Sequence, residues 1–219
     1  MSRLIAIEGI DGSGKGTQAG RLCEHLQSTG TTCTVLTFPS YELTRFGRQI
    51  GAFLNGQFGE LNQVHPVLVS LLFAGDRLES LPRLQAALAT YDVVICDRYV
   101  ASNLAHQAAK ADGAGRAELR QWVEFVEYEL FRLPRADRVL WLDIPVEQAQ
   151  QLIARKARRS YTERTADLQE ADGTYLQRVR DVYHELSTDP AWRRVNVMDQ
   201  QRLRSPDEIT ADLVAALQS

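Results

Sequence analysis

The stretch from Arg3 to Thr17 has the residue types and spacing of a phosphate cradle. A short apolar run, Leu4 to Ile7, breaks at Gly9; glycines recur at 12, 14 and 16 before a helical pattern begins near Thr17. Glycines let backbone N–H groups converge on anionic oxygens, and the helix N-terminus adds the positive end of its dipole. Phosphate contacts are therefore expected from Gly9, Ile10, Asp11, Gly12, Ser13, Gly14, Lys15, Gly16 and Thr17, with the Lys15 ammonium reaching the β- and γ-phosphates. The P-loop pattern wants Ser or Thr straight after the lysine; here Gly16 stands there and Thr17 follows. An ordinary glycine-rich turn is the alternative, but the strand–loop–helix context favours phosphate binding.

The elements that must position this cradle follow from the apolar pattern. Continuous apolar or β-branched runs at 4–7, 32–38, 93–96, 138–144 and 194–198 read as five strands. Helical patterns fill the gaps: 17–28, 44–55, 65–89 in two pieces separated at Leu81-Pro82, 100–110, 117–131 after a turn at 112–115, a helix opened by Pro145, 174–187 and 206–217. In the 117–131 helix the expected apolar stripe is Trp122, Phe125, Val126 and Leu130. Strands alternating with helices predict an α/β fold, a P-loop NTPase-type five-stranded parallel sheet with helices on both faces. The whole chain, 1–219, reads as a single domain, with a charged segment at about 155–170.

Bulk properties bound the rest. A chain of 219 residues with 44% hydrophobic and 24% charged content suits one soluble globular domain. The net charge of −3 gives no extended basic surface, so nucleic-acid binding is disfavoured. Cys23, Cys33 and Cys96 have no paired spacing and fit a reducing compartment. No run approaches membrane length, and the N-terminal run is too short for a signal peptide, so a cytoplasmic protein with no membrane partner is expected.

In such sheets ligands bind beyond the carboxyl ends of the strands. Phe38-Pro39-Ser40-Tyr41 and Asp97-Arg98-Tyr99 fall there. Asp97 can orient magnesium or its waters, and Arg98 can grip a phosphate as a rigid fork, although a buried Asp–Arg ion pair would look the same. Phe73 and Arg77 share a helix face, where one can stack on a nucleobase and the other donate to an edge carbonyl. Arginine has no acceptor, so the pair suits a 4-keto pyrimidine. Spacing alone favours the alternative, a core phenylalanine with an Arg77–Asp76 pair. The arginines of 155–164 are either a solvated face or a closing lid that brings positive charge.

Together these residues resemble the thymidylate kinases, a branch of the nucleoside monophosphate kinases, in the right order over most of the chain. The resembling segments are Glu8 to Lys15, Phe38 to Tyr41, Leu72 to Arg77 and Asp97 to Gln107, the last being the most specific. Asp167 to Glu170, followed by Tyr175, Val179 and Tyr183, is similar to the segment just after the family's lid. The resemblance implies ATP-dependent phosphorylation of dTMP to dTDP with Mg2+, in a homodimer packed through helices. It implies that Asp11, Tyr41 and Arg98 hold the dTMP phosphate and sugar, that Phe73 stacks on thymine and that Arg77 bonds its 4-carbonyl. Ser102, Asn103, His106 and Gln107 would line the pocket, Glu170 would face the sugar, and Asp97 with Thr17 would serve the metal. Lys15 and the lid arginines Arg155 and Arg159 would neutralise transition-state charge, because the cradle lacks an arginine between Asp11 and Gly14. His106 stands where the family usually has Tyr or Phe beside the sugar 2′ position, and its smaller polar ring is expected to weaken rejection of ribonucleotides. An adenylate kinase is disfavoured because Asp97-Arg98-Tyr99 ends the third strand in place of an Asp-Gly-Phe-Pro-Arg-type segment. A GTPase switch is disfavoured because no Asn/Thr-Lys-x-Asp segment exists around Lys15, Lys110 or Lys156.

Overall fold

The five apolar runs pair as one parallel sheet in the computed structural model, which describes residues 2–60, 63–154, 169 and 172–218. Strands β1 (Arg3–Glu8), β2 (Cys33–Thr37), β3 (Val93–Asp97), β4 (Arg138–Asp143) and β5 (Trp192–Asn196) lie in the order β2-β3-β1-β4-β5. The central position of β1 explains its uninterrupted apolar run: Leu4, Ile5, Ala6 and Ile7 are all buried, as are Ile95 and Leu140 beside them. Its neighbours are reached in opposite directions along the sheet, which opens a crevice at the carboxyl end of β1.

The crossovers carry α1 (Lys15–Ser28), α2 (Arg45–Leu54), α3 (Pro66–Thr90), α4 (Val100–Ala108), α5 (Gly113–Glu124), α6 (Val146–Ala154), α7 (Gly173–Leu186) and α8 (Pro206–Gln218). Right-handed connections put α1 on one face of the sheet and α3, α4 and α7 on the other, and α8 packs beside α1. The helices therefore cover both faces, as the pattern predicts.

Several boundaries differ from the sequence reading. Helix α3 runs unbroken through Pro82. Pro82 is exposed, and Leu78 four residues earlier is 39% exposed, so the carbonyl deprived of its helical donor lies on the solvent side. Helix α5 starts at Gly113 instead of after a turn, and it widens into a π-helical turn at Phe125–Leu130. There Phe131 N–H donates to the Val126 carbonyl at 2.9 Å, an i→i−5 bond. The wider turn breaks the 3.6-residue stripe: Val126 is buried, but Phe125 and Leu130 are 50% and 57% exposed. Strand β5 begins two residues earlier than expected, and a small hairpin of β6 (Met198–Asp199) and β7 (Arg202–Leu203) follows it. Of the charged segment 155–170, all but Gln169 lies outside the described residues.

Candidate active site

The glycine-rich turn delivers Lys15 to the mouth of α1. Gly14 is the N-cap and takes a left-handed conformation (φ 89°), which a glycine adopts without steric cost. Lys15 is buried and folds back so that Nζ donates to the Ile10 carbonyl at 2.8 Å, with Ser13 Oγ at 3.4 Å. Burial, together with repulsion from Arg98, lowers its pKa to about 7. A cleft opens above it, lined in part by Gly12, Gly14, Lys15, Gly16, Thr17 and Asp97. This is a cradle for a polyphosphate.

Asp97 ends β3 directly against this turn. A Cβ at residue 16 would sit 3.0 Å from Asp97 Oδ2, so a side chain there would push the carboxylate back by a few tenths of an ångström. Asp97 Oδ1 is buried and has no hydrogen-bond partner among the described residues. An unsatisfied carboxylate oxygen beside a phosphate cradle, with the Thr17 hydroxyl lining the same cleft, fits Mg2+, which takes one or two carboxylates plus phosphate oxygens and water.

Arg98, the next residue, adopts φ 66°, a left-handed conformation that is uncommon for a residue with a side chain. Its backbone N–H donates to Ile7 O at 3.0 Å, and its guanidinium reaches back over β1 to pair with Asp11. Nη1 also donates to Ser102 Oγ at 3.2 Å. The Asp97–Arg98 ion pair that the sequence also allowed is thus replaced by Asp11–Arg98.

A second cleft adjoins the first. The sequence-predicted residues Asp11, Tyr41, Phe73, Arg77, Arg98, Ser102, Asn103, His106 and Gln107 all line it. The two clefts share Asp11, Phe38, Pro39, Tyr41 and Arg98 as a common wall. At the far end Phe73 is half-buried and Arg77 is buried. Arg77 pairs with Glu127 through Nε at 2.8 Å and through Nη2, not with Asp76. Asp76 instead accepts from the Ser40 N–H at 3.1 Å and from Thr44 Oγ1.

Helix α4 carries the lining residues, and Glu8 anchors it. The Glu8 carboxylate, at the end of β1, accepts from Tyr99 N–H at 2.7 Å, Ser102 N–H at 3.2 Å, Ser102 Oγ at 2.6 Å and Tyr183 Oη at 2.9 Å. It therefore caps α4 from a neighbouring strand. Burial raises its pKa against the lowering effect of these donors and of Arg98. His106 is buried, and Tyr175 Oη donates to its carbonyl at 3.0 Å while lying 3.0 Å from Nδ1. With the phenolic proton on the carbonyl, Nδ1–H is the donor to Tyr175 and Nε2 is left as an acceptor. Burial and the charge of Arg98 push the His106 pKa down to about 3, so the ring is neutral at physiological pH.

Arg155, Arg159 and Glu170 lie outside the described residues. Sequence reasoning missed Glu8 as a cap and Glu127 as the partner of Arg77, and it missed Leu54 and Gln169 in the lining of the second cleft. Glu127 follows the buried Val123 by four residues and Leu119 by eight, so helical spacing places it on the inner face; its charge is what argued for solvent.

Comparison with known proteins points to one family. A family model described as thymidylate kinase matches residues 7–205. A thymidylate kinase of Mycobacterium tuberculosis is 35% identical over 185 residues, 84% of this chain and 85% of that protein. A probable thymidylate kinase of Thermococcus onnurineus is 31% identical over 221 residues, 98% of this chain and 97% of its own length. Among solved structures, a thymidylate kinase from Candida albicans superposes with a TM-score of 0.74 at 25% identity, covering 99% of this chain and 91% of its own.

The low pKa of Lys15 makes a prediction about polyphosphate binding. Near pH 7 the free cradle holds Lys15 only partly protonated, and a bound polyphosphate favours the charged form and raises the pKa. Binding of a non-hydrolysable ATP analogue at pH 7.5 therefore takes up about half a proton or more. Calorimetry in buffers of different ionisation enthalpy should show that uptake, fading below about pH 6. The same apparent enthalpy in every buffer would contradict it.

Proposed function

The chain belongs to the thymidylate kinase family, and from that premise we propose how its two clefts carry out the family's reaction. The reaction is transfer of the γ-phosphoryl group of ATP to dTMP, giving dTDP and ADP for nucleotide biosynthesis. The observation that carries the assignment of clefts is their common wall of Asp11, Phe38, Pro39, Tyr41 and Arg98. One cleft has the cradle and the other has the aromatic and guanidinium end suited to a base, so two nucleotides meet phosphate to phosphate beside Arg98.

In this reading a phosphate oxygen of dTMP attacks the γ-phosphorus while the bond to the β-bridging oxygen breaks, and the electron pair leaves with ADP. No covalent enzyme intermediate is needed, and catalysis is positioning and charge neutralisation. Lys15 and the backbone N–H groups from Gly9 to Thr17 hold the donor phosphates. Arg98, steered by Asp11, holds the acceptor phosphate, with Tyr41 alongside. Phe73 stacks on thymine and Arg77 donates to its 4-carbonyl. Ser102 fixes Arg98, while Asn103, His106 and Gln107 line the nucleotide. Asp97, whose Oδ1 has no partner among the described residues, and Thr17 would hold Mg2+, which would supply charge neutralisation on the transferring group. Arg155, Arg159 and Glu170 complete the site from a lid at about 155–170, and residues 1–219 act as one domain with that lid.

A homodimer is the assembly we propose, packed through the face of α3 that exposes Leu68 (58%), with Phe125 (50%) on the turn beside it. A dimer mass at micromolar concentration is expected in light scattering, and a monomer mass would contradict it. Among the described residues no helix is long and apolar enough to cross a membrane.

The test of function is ADP release with dTMP, dUMP, UMP, CMP, AMP or GMP, with magnesium and after its chelation. The account predicts turnover with dTMP, about 10- to 200-fold less efficient turnover with dUMP, which lacks one methyl, and loss of activity on chelation. The same assay with ribo-TMP should show a stronger preference for deoxyribose in His106→Tyr than in the parent, because the acceptor at Nε2 welcomes a hydroxyl. No stimulation by any monophosphate would overturn the assignment.

A further inference from the structure

Glu127 is a buried carboxylate that the reaction does not use. It lies on the π-helical turn after α5, yet it touches two residues of the second cleft from different helices. Arg77 of α3 pairs with it through Nε and Nη2. Asn103 of α4 donates Nδ2–H to its Oε1 at 2.7 Å. We propose that Glu127 is a positioning residue for base specificity: by holding Arg77 and Asn103 together it fixes which atoms they offer to the base. The proposal rests on the reading that the base of dTMP occupies this end of the cleft.

An ionised carboxylate only accepts, so every group facing Glu127 must be a donor. Asn103 therefore turns its nitrogen towards Glu127, and the second hydrogen of Nδ2 goes to the Ser70 carbonyl at 3.0 Å. Both donors of the amide are consumed. Its Oδ1 accepts from Gln107 Nε2 at 3.2 Å and keeps a second lone pair. The far end of this chain gives the same direction independently. Lys110, one of three lysines in the protein, has no acceptor, and its Nζ donates to Gln107 Oε1 at 3.0 Å. That contact orients Gln107 with its nitrogen towards Asn103. With an acceptor-only group at one end and a donor-only group at the other, the relay has a single polarity.

Two groups are thereby left for a ligand. Arg77 Nη1 has no hydrogen-bond partner among the described residues, and Asn103 Oδ1 is an acceptor; both residues line the cleft. A donor beside an acceptor matches a carbonyl beside a ring N–H, the edge of thymine or uracil. Cytosine offers an amino group and a bare ring nitrogen in those places, so both contacts fail. A site built this way rejects the mismatched base strongly, because its buried polar groups are left unpaired.

The test is kcat and KM of the full chain for dTMP and dCMP in the parent, Glu127→Gln and Glu127→Asp, with circular dichroism to confirm folding. Gln replaces one acceptor by a donor, and Asp withdraws the carboxylate by one methylene. We expect the dTMP-to-dCMP ratio of kcat/KM to fall at least about tenfold in a folded variant, the loss falling more on KM for dTMP than on kcat. A merely structural role would lower the melting temperature and leave the ratio unmoved, and that result would overturn the proposal. If neither variant folds, Lys110→Met tests the other end of the relay. At least a threefold fall in the ratio, restored by Lys110→Arg, is expected there, and an unchanged ratio overturns the proposal. A parent enzyme that takes dCMP as readily as dTMP overturns the reading of the site itself; a parental preference that survives in the folded variants overturns the role of Glu127 alone.

Discussion

The buried carboxylate of Glu8 holds the rest of the site in register. It is fully buried at the end of the central strand, and its donors come from the β3–α4 junction, from α4 and from α7. A carboxylate withdrawn from water is costly unless its oxygens are satisfied, and here backbone and hydroxyl donors surround it. The consequence is geometric. The strand that leads into the phosphate cradle and the helix that lines the second cleft are tied at one point, so neither can shift without leaving a buried oxygen unpaired. Arg98 emerges from that same junction in a left-handed conformation, and Ser102 bonds both Glu8 and Arg98.

From this anchor the chemistry follows by proximity. Asp11 belongs to the cradle turn and Arg98 to the end of β3, and their ion pair is the boundary between the two clefts. On the cradle side, Lys15 is held close to its own backbone with its charge destabilised by burial, a state that an incoming polyphosphate relieves. On the other side, Arg77, Asn103 and Gln107 are locked by contacts with one another and with Glu127, so the wall that reads the base is ordered in advance. Within the cradle, Gly16 leaves Asp97 room: a Cβ there would stand 3.0 Å from Oδ2 and would push the carboxylate aside by a few tenths of an ångström.

Much of this was legible in the sequence because it is local. The three inner strands, β1, β3 and β4, were written as continuous apolar runs, since each is buried in a parallel sheet, and the cradle as glycines between strand and helix. Phe73 and Arg77, four residues apart, did fall on one face and in one cleft. What was not legible depends on distant pairing or on irregular backbone. The partner of Arg77 is 50 residues away on a π-helical turn, and no local pattern announces that a charged residue on that helix's inner face will meet it. The same turn exposed Phe125 and Leu130, which periodicity had assigned to the core. Pro82 misled in the opposite sense: it signalled a break, but its place on the solvent side of α3 let the helix continue. Glu8 was visible as a residue of the motif, but its role as a cap needed Tyr99 and Ser102, brought in from another strand.

The account stands on Arg98 belonging to both clefts. The most direct measurement is calorimetric titration of dTMP and of a non-hydrolysable ATP analogue into the parent and into Arg98→Met. The account predicts that the substitution weakens dTMP binding at least about tenfold and also weakens the analogue, measured with dTMP already bound. Weakening of one ligand with the other unaffected would contradict a shared wall, and with it the arrangement of the two nucleotides phosphate to phosphate.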